Sequence, residues 1–364
     1  MTKKKVLILT NNSGGLYRFR KELIMEMIKK GCEVFASTPF DDNVDDLLGL
    51  GASLLNTPID RRGMNPFKDF RLLFSYHKII KQVKPDLVIT YTIKPNLYGG
   101  IVCGLLKIPF AINITGLGTA FQGDGLLKKL VIKWYRLVCR KVKIVFFENE
   151  GNCNVFIDNN IIENDKTFVL NGAGVNLDDF PFEEYPLIED KLHFLFIGRI
   201  MKEKGVDEMF YAIERLCDEK FNVVLDVLGN YEDNYVNQVA ELLHKGMIQY
   251  HGYQSDVRPF IKKSHCFVLP SYHEGMANTN LECAAMGRPL ITSNIHGCKE
   301  AMIEDISGFL CEKENKESLY ECMKKFINLS YEEKKKMGLE SRKHMENVFD
   351  KRKVVKKTIE RLSL

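Results

Sequence analysis

The chain has 364 residues, which suits two domains and is too long for one small binding module. Its 52 Lys and Arg against 48 Asp and Glu leave a formal charge of +4, so no global charge calls for nucleic acid as a partner. Ten cysteines lie scattered without a CxxC or CxxxC pair, which argues against zinc and a disulfide framework and for reduced thiols of a cytoplasmic protein.

MTKKKVLILT begins with lysines and holds only a short apolar run before Asn11 and Asn12, so it predicts a first strand, Val6 to Thr10, and not a leader peptide. No window approaches the roughly 20 apolar residues of a membrane span, so membrane contact would be peripheral. A helix over Arg18 to Lys30 and strands at Glu33 to Ser37, Leu87 to Thr90 and Phe110 to Ile114 follow. Such alternation predicts a parallel sheet covered by helices on both faces. Val175 to Asp190 carries Asp178, Asp179, Pro181, Glu183, Glu184 and Pro186, a linker composition that puts a boundary near residue 180. A second strand series follows at His193 to Ile197, Val223 to Leu228, Cys266 to Leu269 and Pro289 to Thr292. Tyr331 to Leu364 is highly charged, with spaced apolar residues that suit one or two surface helices. The expected class is α/β, with two Rossmann-like domains facing a central cleft. In open parallel sheets, ligands bind beyond the carboxyl ends of the strands.

The chemistry-bearing segments fall where loops follow strands. Gly14 and Gly15 follow the first strand and would let a phosphate approach backbone N–H groups at a helix start; a plain tight turn is the simpler alternative. FIGRIMKEKG runs a strand into Gly198, Arg199 and Lys204, where a guanidinium fork and a mobile ammonium can converge on one diphosphate. Solvated loop charge is the bland reading there. In SYHEGMANTNLECAAMG, Glu274 precedes a helix and can accept hydrogen bonds from sugar hydroxyls. Glu282 lies one to two turns further in, where it could hold a ribose, and Gly275, Met276 and Ala277 would offer N–H groups between them; an exposed acidic loop and a helix-face glutamate are the commoner reading of two such glutamates alone. No separated DxD suits a metal-bound diphosphate, since Asp41-Asp42 and Asp45-Asp46 are adjacent pairs; turnover without a metal is expected.

FIGRIMKEKG, LDVLGN, VLPSYHEGMANTNLECAAMGRPLITSNIHGCKE and SGFL, in this order, resemble the donor domain of retaining GT-B glycosyltransferases of family four. ITYTIKPNLYGG and INITGLGTAF resemble bacterial members that extend lipid-linked oligosaccharides for capsule, O-antigen or protein glycosylation. The resemblance implies a GT-B fold: residues 1–180 would bind acceptor, 181–345 would bind donor, and 346–364 would form a C-terminal helix returning to the first domain. It implies that Arg199 and Lys204 hold the donor diphosphate, Glu274 the sugar and Glu282 the ribose, with Gly14 and Gly15 facing the diphosphate from the other domain. The nucleotide sugar, UDP-linked by this reading, is a co-substrate; no other cofactor is expected. Two departures stand out: Gly229 is followed by Asn230 where a glycine pair is usual, and Ile114 and Thr115 stand where many relatives carry a histidine.

Lys94, Thr115, Arg61 and Arg62 are the acceptor-side candidates, because a lipid-linked pyrophosphate would welcome cations at strand-end loops. LLKKLVIKWYRLVCRKVK sets Lys128, Lys129, Lys133 and Arg136 beside an apolar stripe that includes Trp134. It reads either as a basic amphipathic helix on the inner face of an anionic membrane or as an ordinary surface helix. Two rival functions remain at this point. A UDP-sugar 2-epimerase of the same architecture would need further acid and base groups, and a non-catalytic membrane adaptor would tolerate a degenerate donor site.

Overall fold

The computed structural model describes residues 3–60, 65–118, 121 and 125–364. The chain divides into two compact units: unit 1 is Met1–Ala173 with Arg352–Leu364, and unit 2 is Gly174–Lys351. In unit 1, strands β1 (Lys5–Leu9), β2 (Glu33–Thr38), β3 (Ser53–Asn56), β4 (Leu87–Tyr91), β5 (Phe110–Ile114), β6 (Ile144–Phe147) and β7 (Thr167–Val169) form one sheet. Between them run α1 (Ser13–Lys29), α2 (Val44–Gly49), α3 (Pro66–Val83), α4 (Gly100–Leu106), α5 (Leu126–Cys139) and α6 (Glu150–Asp158). Unit 2 holds β8 (Leu192–Ile197), β9 (Val223–Leu228), β10 (Ile248–Gly252), β11 (Cys266–Leu269), β12 (Leu290–Ser293) and β13 (Gly308–Cys311). Its helices are α7 (Val206–Asp218), α8 (Val236–His244), α9 (Arg258–Lys263), α10 (Asn278–Ala285), α11 (Lys316–Ile327) and α12 (Tyr331–His344), and α13 (Lys351–Leu362) closes the chain.

Both sheets are parallel throughout, ordered β3-β2-β1-β4-β5-β6-β7 and β10-β9-β8-β11-β12-β13. Each is therefore doubly wound, as the α/β class with two Rossmann-like domains requires. The winding reverses between β1 and β4 in one and between β8 and β11 in the other. Loops leaving the carboxyl ends of those four strands are where such a sheet takes its ligands.

Period-two alternation fixes both faces of the first sheet. Val6 and Ile8 of β1 point into one core with Leu16, Leu23 and Ile24 of α1; Leu7 and Leu9 point into another with residues of α3, α4 and α5. Val354, Ile359 and Leu362 of α13 complete the α1 core. Helix α1 starts at Ser13, earlier than the expected Arg18, because the Asn12 side chain accepts from Gly15 N–H and caps the helix through the glycine pair.

The stretch with linker composition is pinned inside unit 2. Arg288, fully buried, donates to the carbonyls of Glu183 and Glu184 at 3.0 and 3.1 Å, and to those of Ile261 and Lys262 at 2.8 and 2.9 Å. Tyr185 is buried beside it and donates its hydroxyl to the His265 carbonyl at 2.9 Å.

Candidate functional site

The loops after β8 and β11 meet at the reversal of the unit 2 sheet. After β8 the chain makes a single turn of tight helix over Lys202–Lys204 and then takes Gly205 at φ +72°. A Cβ on Gly205 would fall 2.1 Å from the Pro270 carbonyl oxygen, so only glycine lets this turn lie against the end of β11. Ser271 Oγ and Tyr272 N–H then both donate to the Glu203 carbonyl, at 3.2 and 2.8 Å, and fasten the second loop to the first. The result is an ion pair between Lys204 Nζ and Glu274 Oε1, with both side chains mostly buried.

A third segment backs the Glu274 loop. Ala277 N–H donates to the Gly297 carbonyl at 2.7 Å, and Gly297 N–H donates to Glu300, whose other carboxylate oxygen meets His296 Nδ1 at 2.8 Å. Ala277 N–H is therefore engaged, in contrast to the open N–H expected of it. Of the two residues before it, Gly275 is half-buried and Met276 is buried. Helix α10 begins at Asn278, whose Oδ1 is buried without a hydrogen-bond partner. Glu282 follows on α10 and is half-buried. Burial, with the Glu208 carboxylate that Tyr272 bonds at 2.8 Å, raises the Tyr272 phenol well above its ordinary pKa. Burial and then the Glu274 carboxylate likewise raise the Cys298 thiol, which stays protonated.

Arg199 is not drawn into this pair. It is half exposed, and its guanidinium lies 3.6 Å from Glu232. The neighbouring Gly198 and Gly229 explain the missing second glycine: Gly229 sits at φ +140°, and a Cβ there would strike the Gly198 carbonyl oxygen at 1.8 Å. Asn230 has no such constraint, and its carbonyl accepts from Ile200 N–H at 2.9 Å.

In unit 1, Gly14 and Gly15 lie in the first turn of α1, with Gly15 N–H held by Asn12. Ser13 N–H donates to Asp41 at 2.8 Å and Asn12 Nδ2 to the same carboxylate at 2.7 Å, so Asp41 serves the capping loop. Lys94 is paired with Asp69 at 2.7 Å, and Thr115 is half-buried directly after β5. Arg61 and Arg62 lie outside the described residues. On α5, Lys129 and Lys133 are exposed and Lys128 is half-buried. Trp134 packs edge-on against Tyr98 at 5.8 Å, and Arg136 donates twice to the Asn159 carbonyl, at 3.1 and 2.6 Å.

Sequence spacing does not single out Gly297, Glu300 or Asn278, although all three stand within the long motif around Glu274. Nor does it announce Arg20, which bonds Glu148 at 2.6 Å and lies 4.9 Å above the Tyr91 ring, at the carboxyl ends of β4 and β6. A cation on a helix face carries no signal until the strand ends beside it are known. Among the described residues no cluster of three or more His, Cys, Asp or Glu could hold a metal ion, and no helix is long and apolar enough to cross a membrane.

Residues 179–344 match the family model described as glycosyl transferases group 1, and residues 5–149 match that described as glycosyl transferase 4-like. The chain is 28% identical over 334 residues to N,N'-diacetylbacillosaminyl-diphospho-undecaprenol alpha-1,3-N-acetylgalactosaminyltransferase of Campylobacter jejuni, covering 87% of this chain and 88% of that one. It is 28% identical over 294 residues to UDP-Gal:alpha-D-GlcNAc-diphosphoundecaprenol alpha-1,3-galactosyltransferase of Escherichia coli, covering 76% and 74%. A crystal structure of a glycosyltransferase from Rickettsia africae superposes with a TM-score of 0.80 at 21% identity, over 99% of this chain and 98% of that one.

Proposed function

We propose, from the premise that the chain belongs to the GT-B glycosyltransferases of group 1 and 4-like type, that it moves a hexose or N-acetylhexosamine from a UDP-sugar to a saccharide carried on undecaprenyl diphosphate. The observation that carries this reading is the Lys204–Glu274 pair, mostly buried at the winding reversal of the unit 2 sheet. A carboxylate held by a lysine there can accept from sugar hydroxyls while the ammonium faces a diphosphate. The names of the two bacterial relatives supply the acceptor class, and the second also names a UDP donor.

The configuration at the anomeric carbon is retained by front-face attack. The acceptor hydroxyl oxygen bonds to the anomeric carbon as the bond to the donor phosphate oxygen breaks, and that phosphate oxygen takes the acceptor proton. Arg199 and Lys204 stabilise the charge that grows on the leaving UDP, and Glu274 positions the sugar without forming a covalent intermediate. Glu282 holds the ribose. The nucleotide sugar is the only co-substrate, no metal is required, and the enzyme works at the inner face of the cell membrane.

Acceptor-dependent UDP release tests the reading. Glu274→Gln and Lys204→Met are each expected to lower the rate roughly 100-fold or more, and a chelator is expected to leave it unchanged. If both variants kept wild-type rates, the assigned donor site would be wrong.

A further inference from the structure

The helical layer over one face of the unit 1 sheet carries large apolar side chains on its outer side. Helix α3 buries Leu72, Tyr76, Ile80 and Val83, and opposite them stand Phe67, Phe70 and Phe74, exposed by 83%, 63% and 57%. Their spacing places all three on one face. Phe70 and Phe74 meet edge to face at 4.9 Å. Exposed Arg71, Lys78 and Lys81 share that face. Asp69 is the only carboxylate in α3, and Lys94 neutralises it at 2.7 Å.

Helix α5 repeats the arrangement. Val131, Ile132, Tyr135 and Val138 are buried, while Leu126, Leu130 and Leu137 are exposed beside Lys129 and Lys133, and the helix contains no acidic residue. Both helices pack into the same core across Leu97, Tyr98 and Val102, so their outer faces belong to one layer.

We propose that the Phe67–Phe70–Phe74 ridge of α3 joins the outer face of α5 in binding an anionic lipid bilayer, the rings entering the boundary between headgroups and acyl chains and the cations meeting lipid phosphates. The proposal rests on the reading of a lipid-linked acceptor and extends the membrane contact to a second helix. Charge selects the occupant: a second copy would set this cationic face against its own like charge, whereas an anionic bilayer offers both an apolar interior and phosphates.

The test is sedimentation of the full chain with vesicles of equal parts phosphatidylcholine and phosphatidylglycerol. The triple variant F67S/F70S/F74S changes only exposed side chains and is expected to keep its melting temperature and its transfer to a water-soluble acceptor, while its vesicle partitioning falls roughly tenfold or more. In a second variant, F70W in a W134F background, the tryptophan emission is expected to shift to the blue on addition of the same vesicles. Unchanged partitioning of the triple variant, with loss on Lys129→Glu and Lys133→Glu, would overturn the ridge and leave membrane contact through α5 standing. Conversion of a dimer to a monomer by the triple variant, with vesicle binding intact, would overturn the proposal in favour of a second copy. Absence of acceptor-dependent UDP release by the wild type would instead strike the transferase reading, which sedimentation does not measure.

Discussion

At the scale of single residues, a buried charge bonded wholly to backbone carbonyls is structural, and Arg288 is such a charge. It is fully buried, and its acceptors are backbone carbonyls on three segments: Glu183 and Glu184, Ile261 and Lys262, and Met286 and Gly287. Burial pulls its pKa down to about 10, which still leaves it charged near neutral pH. Lysine cannot reproduce the fork, and methionine would orphan the carbonyls. Arg288→Lys and Arg288→Met are each expected to cost about 3 kcal/mol or more of stability, read as a lower urea midpoint. Transfer per folded molecule should hold, because none of these six hydrogen-bond acceptors is a donor candidate. Nothing in the sequence announces this role, since an arginine between a glycine and a proline reads as loop charge. Lys204 and Glu274, each beside a glycine in a strand-end motif, meet as an ion pair, whereas the guanidinium of Arg199, singled out in the same segment as Lys204, lies 3.6 Å from Glu232.

At the scale of elements, the apolar runs locate the central strands well. Phe110–Ile114, Val223–Leu228 and Cys266–Leu269 coincide with the expected spans, because strands buried on both faces are nearly continuous apolar runs, interrupted here only by the buried Asn113 and Asp226. Helix starts and faces are harder to read. The α1 start escapes the sequence because a glycine pair suggests a loop, and only the Asn12 cap carries the helix through it. On α5, helical spacing groups Leu130 and Leu137 with Val131 and Val138, yet the valines are buried and the leucines exposed. Periodicity finds a stripe; the sheet beneath decides which edge of it is inside. The turn at Gly205 allows a controlled test of how an element places a side chain. Gly205 and Gly246 have similar angles, φ +72° and +67°, but only Gly205 has a neighbour where a Cβ would go. Gly246→Ala is expected to cost about 1 kcal/mol from the backbone alone. Gly205→Ala should cost more and, by pushing Lys204 away from Glu274, lower kcat roughly tenfold or more. Equal effects of the two substitutions on kcat would show that the Pro270 contact does not position Lys204.

At the scale of the whole molecule, the chain passes from unit 1 to unit 2 near residue 173 and returns near residue 352. The two passages are joined by backbone hydrogen bonds: Val175 N–H donates to the Phe349 carbonyl at 2.8 Å, and Lys351 N–H to the Val175 carbonyl at 3.0 Å. Unit 1 is thus discontinuous in sequence and depends for one core on the last residues of the chain. Val354, Ile359 and Leu362 are all at most 5% exposed and lie in the same core as Val6, Ile8 and Leu23. Removing residues 352–364 takes these three side chains out of the core and uncovers their neighbours, a loss of roughly 5 kcal/mol or more. The loss should be confined to one unit, because the core of unit 2 draws on no residue beyond Phe349. Hydrogen exchange read by mass spectrometry is expected to show peptides from β1, α1 and β4 losing protection in the truncated chain, while peptides from β8, β9 and β11 keep theirs. Equal loss in both sets would mean that the two units unfold as one cooperative body.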